Sequence, residues 1–384
     1  MTRARRPHAF SVFFPAAALH AALIVPLTLV AVYGGIGWPP GLLGAGHGHE
    51  LVFGFALALV AGYTLGPQPA RSLWLLLALW LFARVSWLLM PDSWVGQLAS
   101  PVFALVLAWQ VVPRFQAAKK WRNKITGPLI LLLCLVPVAW LVSERMLPVL
   151  ALSVPVTAAT WMHFGVFCLL LLMTFMGGRL IAPAAAGTLE KKGIPLEARV
   201  QPRLEALLIL TLIPAALCYL IPPTRPLTAI LLLVAGVGIA IRTLRWKLWL
   251  CPERPDLLIL GLGYSWLAIG SLATGVTLLR GESPAASLHL LTIGALGTLS
   301  TSIMLRLHYQ RRDRRPPPIP LVLGIGVLMI IAAGSRFLAG PVPWGAPVLL
   351  KLSAGAWALA YLLVFLVMVP WPALKKERAG ASGE

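Results

Sequence analysis

GHGHELVFGFALALVAGYTLG, residues 46–66, joins two histidines and a glutamate to an apolar run that is barely long enough to cross a bilayer. Its polar end sits at the mouth of what reads as a membrane-spanning helix, and is either a metal site or a polar cap on that helix. The rest of the chain decides between the two.

Of the 384 residues, 59% are hydrophobic and only 11% are charged, against about 25% charged in ordinary soluble domains. A chain this apolar cannot hide its hydrophobic residues in a soluble core, so lipid is the expected solvent and partner. Lys and Arg outnumber Asp and Glu by 32 to 12, which in a soluble protein suggests nucleic acid. Here the basic residues fall in the gaps between apolar runs, the pattern of cytoplasmic loops, and no nucleic-acid partner is expected. Cys134, Cys168, Cys218 and Cys251 lie within or at the ends of the runs without CxxC spacing and read as small buried hydrophobes. The first run, near 10–33, is too long for a cleaved leader and lacks a small-residue cleavage site, so it reads as an anchor that stays in place.

Apolar runs long enough to cross the ~30 Å hydrocarbon core as helices recur near 10–33, 50–66, 73–90, 95–113, 127–143, 155–181, 204–221, 226–241, 256–279, 286–306, 317–338 and 344–370. The expected fold is therefore all-α: a polytopic membrane bundle of about twelve helices in one integral-membrane domain, 1–384. A basic tail (1–9) precedes it and a second tail (372–384) follows, both on the cytoplasmic side. The charges support the even count. With the N-terminus inside, 26 of the 32 basic residues fall on inside segments and four (Arg145, Arg225, Arg280 and Arg336) outside, with Arg84 and Lys351 within spans. An odd miscount would scramble that split.

Five of the seven histidines then share a depth. His20 lies near the middle of the first span, His47 and His49 at the outer mouth of the second, His163 in the outer half of the sixth, and His289 near the outer entrance of the tenth. An imidazole in lipid is costly unless it faces the bundle interior with a partner, and neutral imidazole is the commonest metal ligand. His47, His49, His163 and His289 are the candidate ligands, with His20 a weaker one; the plain alternative is that each ring only bonds a neighbouring helix. Residues i and i+2 diverge on a helix but share a side in extended chain. His47 and His49 therefore serve one site only if 46–49 is loop, with Glu50 opening the helix; otherwise one is a ligand and the rest support it.

Gly54, Ala58 and Gly62 make a smooth stripe below, read either as close helix packing or as a bed for a flat macrocycle. Arg84, at the depth of the histidines, needs an anionic partner: Glu50 or a haem propionate. The tenth span is rich in Gly, Ser and Thr, which places it in the bundle interior. Gly177 and Gly178 read as the end of the sixth span, with Arg179 reaching to the membrane edge. No Walker loop, GxSxG, CxxCH or HExxH occurs, and the outer loops are short.

Taken together, His47–Phe55 (HGHELVFGF), the His163 helix carrying Gly177-Gly178-Arg179, His289–Thr298 (HLLTIGALGT), and Arg242–Trp246 with Gly263–Trp266 resemble, in the same order, the hallmarks of the NnrS family of polytopic bacterial membrane proteins. The resemblance implies a twelve-span inner-membrane protein carrying haem (haem b) and copper and linked to nitric oxide in denitrifying or nitrosatively stressed bacteria. Any activity implied is a metal-dependent redox one, with Glu50 and Arg84 supporting the cofactor. Three features depart from the pattern. The family's NWTG turn after the second span is replaced by GYTLGPQPARS, a ninth-span histidine by Gly261, and the GHTGR segment by HYQRRDRRP at 308–316. The rival from another class is a transporter for a metal ion or small solute with histidines lining its pathway, though no two-fold repeat is evident.

Overall fold

The computed structural model describes residues 6–119, 124–147, 156–340 and 345–369. Within them the chain forms twelve long helices, named here α1 (Phe10–Tyr33), α2 (46–64), α3 (Ala70–Leu89), α4 (Trp94–Gln116), α5 (Thr126–Met146), α6 (Ala158–Glu190), α7 (Pro202–Tyr219), α8 (Arg225–Arg245), α9 (Pro255–Leu279), α10 (Ala285–Arg312), α11 (Ile319–Leu338) and α12 (Pro347–Met368). Eleven are long and apolar enough to cross a membrane. The twelfth, α2, is the opening stretch: its polar first turn, with His47, His49 and Glu50, dilutes an otherwise apolar helix.

Consecutive helices pack as neighbours for much of the chain, notably α3 on α4, α4 on α5, α7 on α8 and α8 on α9, and α1 packs against α12. The first and last spans thus close the bundle, and the Trp357 indole N–H donates to Ala21 O at 2.9 Å across that contact. Two helices occupy the interior: 83% of the apolar window of α6 and 72% of that of α10 are buried, against 33–56% for the other spans. The small and hydroxylated residues of α10 suit that place, because they let neighbouring backbones approach closely. Ser300 Oγ meets the Tyr361 hydroxyl at 2.6 Å, while Thr301 bonds back to its own helix at Gly297 O.

One end of the bundle gathers the segment before α1 and the ends of α2, α4 and α10. Ala9 N donates to Gly66 O at 2.9 Å, the Arg114 guanidinium reaches Leu65 O, and His8 and Arg311 line one cleft. The start of the first span and the end of the tenth therefore share a side, as an even count requires. The four cysteines are free; three are buried and Cys218 is half-buried, as their sequence setting suggests.

One expectation needs correction, and one open reading is settled. The sixth helix does not end at Gly177-Gly178 but runs to Glu190. The glycines serve close approach instead: a Cβ on Gly177 would press on the Tyr264 ring at 2.7 Å, and one on Gly178 would collide with the Arg242 guanidinium. Arg242 donates to Glu205 Oε1 at 2.8 Å, and the Tyr264 hydroxyl donates to Thr174 O at 2.9 Å. Trp246 packs edge-on to Tyr264 at 4.7 Å. The glycine pair, the RTLRW segment and the GYSW segment are thus three views of one packing node.

The Gly54–Ala58–Gly62 stripe takes the packing reading, because it is covered by protein. A Cβ on Gly54 would meet His20 Nε2 at 2.6 Å and Arg84 Nη1 at 2.9 Å, one on Gly62 would meet the Phe14 ring at 2.5 Å, and Ala58 is fully buried. Helix packing occupies the face that a macrocycle would need.

Candidate functional site

Residues 46–49 are helical, not loop. His47 and His49 accordingly point apart, and the five histidines sort into two groups rather than one.

The first group is built around Glu50, which is fully buried. Its Oε1 accepts from Arg84 Nη1 at 2.6 Å, and Arg84 Nη2 donates to Ser100 Oγ at 2.6 Å. The sequence offered Arg84 a carboxylate or a propionate; here Glu50 is the anion that it meets. His20 Nε2 lies 3.2 Å from both the Glu50 carbonyl oxygen and Oε2. Both are acceptors, so the proton of His20 resides on Nε2. His49 Nδ1 lies 3.3 Å from Glu50 Oε1 and must likewise carry its proton. That leaves a lone pair on His49 Nε2, which is buried without a hydrogen-bond partner. The His49 ring stacks on Trp87 at 3.5 Å and 13°, with Phe53 and Trp140 edge-on to it. Trp87 is pinned by its indole N–H to Gly41 O at 2.8 Å. Aromatic rings thus clamp one imidazole over a buried ion pair.

The second group holds His47, His163 and His289, from α2, α6 and α10, each half-buried. His289 lies within electrostatic reach of the other two and of Arg336. In each ring Nδ1 is engaged. His47 Nδ1 is 3.2 Å from Thr28 Oγ1, whose own proton goes to Ile24 O at 2.8 Å, so Thr28 accepts and His47 donates. His289 Nδ1 donates to Ala285 O, and His163 Nδ1 meets the Tyr219 hydroxyl at 2.6 Å. An imidazole anchored through Nδ1–H presents an unprotonated Nε2, as a metal-ligating histidine does. Among the described residues, no three His, Cys, Asp or Glu side chains converge closely enough to hold a metal ion as they stand.

Both groups sit where a helix changes its winding. A π-helical stretch, Glu50–Ala56, begins immediately after His49, and another, Leu290–Gly297, immediately after His289. Such wide turns are frequent at functional sites, although a third, Val142–Met146 in α5, carries no histidine. The Trp80 indole N–H donates to Gly54 O at 2.9 Å within the first of them. Sequence reasoning missed the π stretches and the supporting aromatics Trp80, Trp87, Trp140 and Tyr219. The only signal was their sequence position at the depth of the histidines, and apolar spans are full of tryptophan.

Compared with known families, the chain matches one described as NnrS protein over residues 6–376. The comparison with curated proteins gave no match.

Proposed function

Because this chain belongs to the NnrS family, we propose that it is a membrane haem protein, with copper as a second candidate metal, acting in the bacterial response to nitric oxide from the inner membrane. The observation that supports a metal is the His47–His163–His289 group: three half-buried imidazoles on three helices, each held by Nδ1. Imidazole nitrogen suits iron and copper alike. His47 and His289 have the tautomer that ligation needs, and so does His49, with its buried and unpartnered Nε2. The donor chemistry therefore fits: His47, His163 and His289 would hold one metal group, and His49 would offer its Nε2 to a separate one. A bound haem iron or copper supplies a binding and redox centre for a small diatomic molecule. The chain's own part is to orient the rings and to keep Glu50 and Arg84 paired beneath them. His20 donates its Nε2 proton to the Glu50 carbonyl oxygen, beside the ion pair, and presents only Nδ1 to a metal.

The test is the visible spectrum and metal content of the purified protein. A Soret band is expected, and it should weaken or shift in His289→Ala and His163→Ala. Thr28→Val should lower metal occupancy, since losing such an anchoring partner costs about 10–100-fold in affinity. A preparation from haem- and copper-replete cells with neither a Soret band nor copper overturns the proposal. Nitric oxide survival of a deletion strain, complemented with wild type or His289→Ala, tests the physiological role.

A further inference from the structure

At the basic end of the bundle, the segment before α1 meets the last turns of α10 around a cleft of about 490 Å³, lined by Arg6, His8, Phe10, Gln310, Arg311 and Arg314. One wall is fixed by the backbone: Gln68 N donates to Pro7 O at 3.0 Å, and Ala9 N donates to Gly66 O at 2.9 Å. The His8 and Phe10 rings lie 5.0 Å apart on that wall. On the other wall Arg314 holds a backbone φ of 52°, a region that residues other than glycine seldom adopt.

The charge in this cleft is not balanced by the protein. No carboxylate lines it. Asp313, the acid beside it in sequence, is engaged by Arg312 and Arg315. Arg6, Arg311 and Arg314 have no carboxylate partner among the described residues, while His8 Nδ1 is buried without a hydrogen-bond partner. Burial, and then the neighbouring Arg311, hold the His8 pKa below the usual histidine value. Its ring therefore adds polar atoms to the cleft rather than a fourth cation.

We infer that the cleft binds a phosphate-bearing anion, and that its occupant is the headgroup of an anionic phospholipid. Three guanidinium groups match phosphate oxygens in number and in donor geometry. The volume falls in the range of small-ligand pockets, ~300–1,000 Å³, which is more than a bare phosphate needs. The bounding helices, α1 and α10, are membrane spans, so acyl chains attached to such a headgroup meet hydrocarbon directly below it. Basic pockets between spans at the charged end of a bundle are where anionic headgroups settle.

Native mass spectrometry of the full-length protein, titrated in detergent with phosphatidylglycerol or phosphatidylcholine, reads the site directly. Wild type is expected to prefer phosphatidylglycerol by about tenfold or more. The double variant Arg311→Gln with Arg314→Gln should lose about tenfold in that affinity, while Arg199→Gln with Arg203→Gln, an equal loss of charge at exposed positions outside the cleft, should stay within about twofold. Elution volume in size-exclusion chromatography controls for folding in both. Equal losses in the two variants would assign the affinity to the basic surface at large and overturn the inference. If millimolar inorganic phosphate raises the thermal stability of wild type but not of the cleft variant, and phosphatidylglycerol shows no preference, the phosphate chemistry stands and the lipid is overturned as its source.

Discussion

The N-terminal half of the site turns on two residues, Glu50 and Arg84. Both side chains are almost wholly buried, and their link is a charge-assisted bond of 2.6 Å. Removing one partner of a buried pair leaves an uncompensated charge, at a cost of about 3–5 kcal/mol, whereas removing both together can be far milder. Arg84→Met is therefore expected to lower stability by about that amount in thermal unfolding of the detergent-solubilised protein, with Arg84→Met/Glu50→Gln recovering much of the loss. Equal losses in the single and double variants would show that Arg84 matters for its packing instead. The sequence narrowed this pair to two options because a span tolerates so few charges: Arg84 needed an anion at its depth, and Glu50 was one of the two on offer. It could not reveal where His47 and His49 go. That depends on whether four residues between two glycines are helix or loop, and tertiary contacts to Thr28 and Trp87 settle it.

Among helices, α6 shows how a motif can be legible and still be misread. Two adjacent glycines beside an arginine carry the local signal of a helix end. The helix continues because a neighbouring span uses the missing side chains, placing the Arg242 guanidinium against Gly178. Gly178→Ala should destabilise by about 1–3 kcal/mol through overpacking. Gly187→Ala, on the same helix with nothing within 4 Å of the added carbon, should be neutral or stabilising by about 0.4–1 kcal/mol. The pair of melting temperatures separates close approach from mere helix propensity. Most span positions, by contrast, were readable within a few residues, the ends of α6 and α10 excepted, since length and hydropathy follow directly from the thickness of the bilayer. The π stretches after His49 and His289 left no composition signal, because the winding of a helix inside a bundle answers to its neighbours.

For the molecule as a whole, the count of twelve and the shared side of His8 and Arg311 follow from hydropathy and charge, which act along the chain. Closure of the bundle does not, because it joins residues as distant as Ala21 and Trp357. Trp357 is 3% exposed and packs on Phe55 and Tyr361. Trp357→Ala is expected to cost about 3–5 kcal/mol. Trp357→Phe keeps an aromatic ring but forfeits the interhelical hydrogen bond, about 0.6–1.7 kcal/mol, and part of the indole's packing, so its loss should be the smaller of the two. A similar loss in both variants would place the energy of closure in the hydrogen bond rather than in the packing.

That closure also sets an order of events during synthesis. Ten helices separate α1 from its partner α12 in the chain, so the face of the first span that α12 covers stays uncovered until all ten have been made. Every truncated or stalled chain displays the same uncovered seam, including the Ala21 carbonyl that Trp357 will bond. Exposure of that seam therefore marks a chain in which α12 has not yet docked.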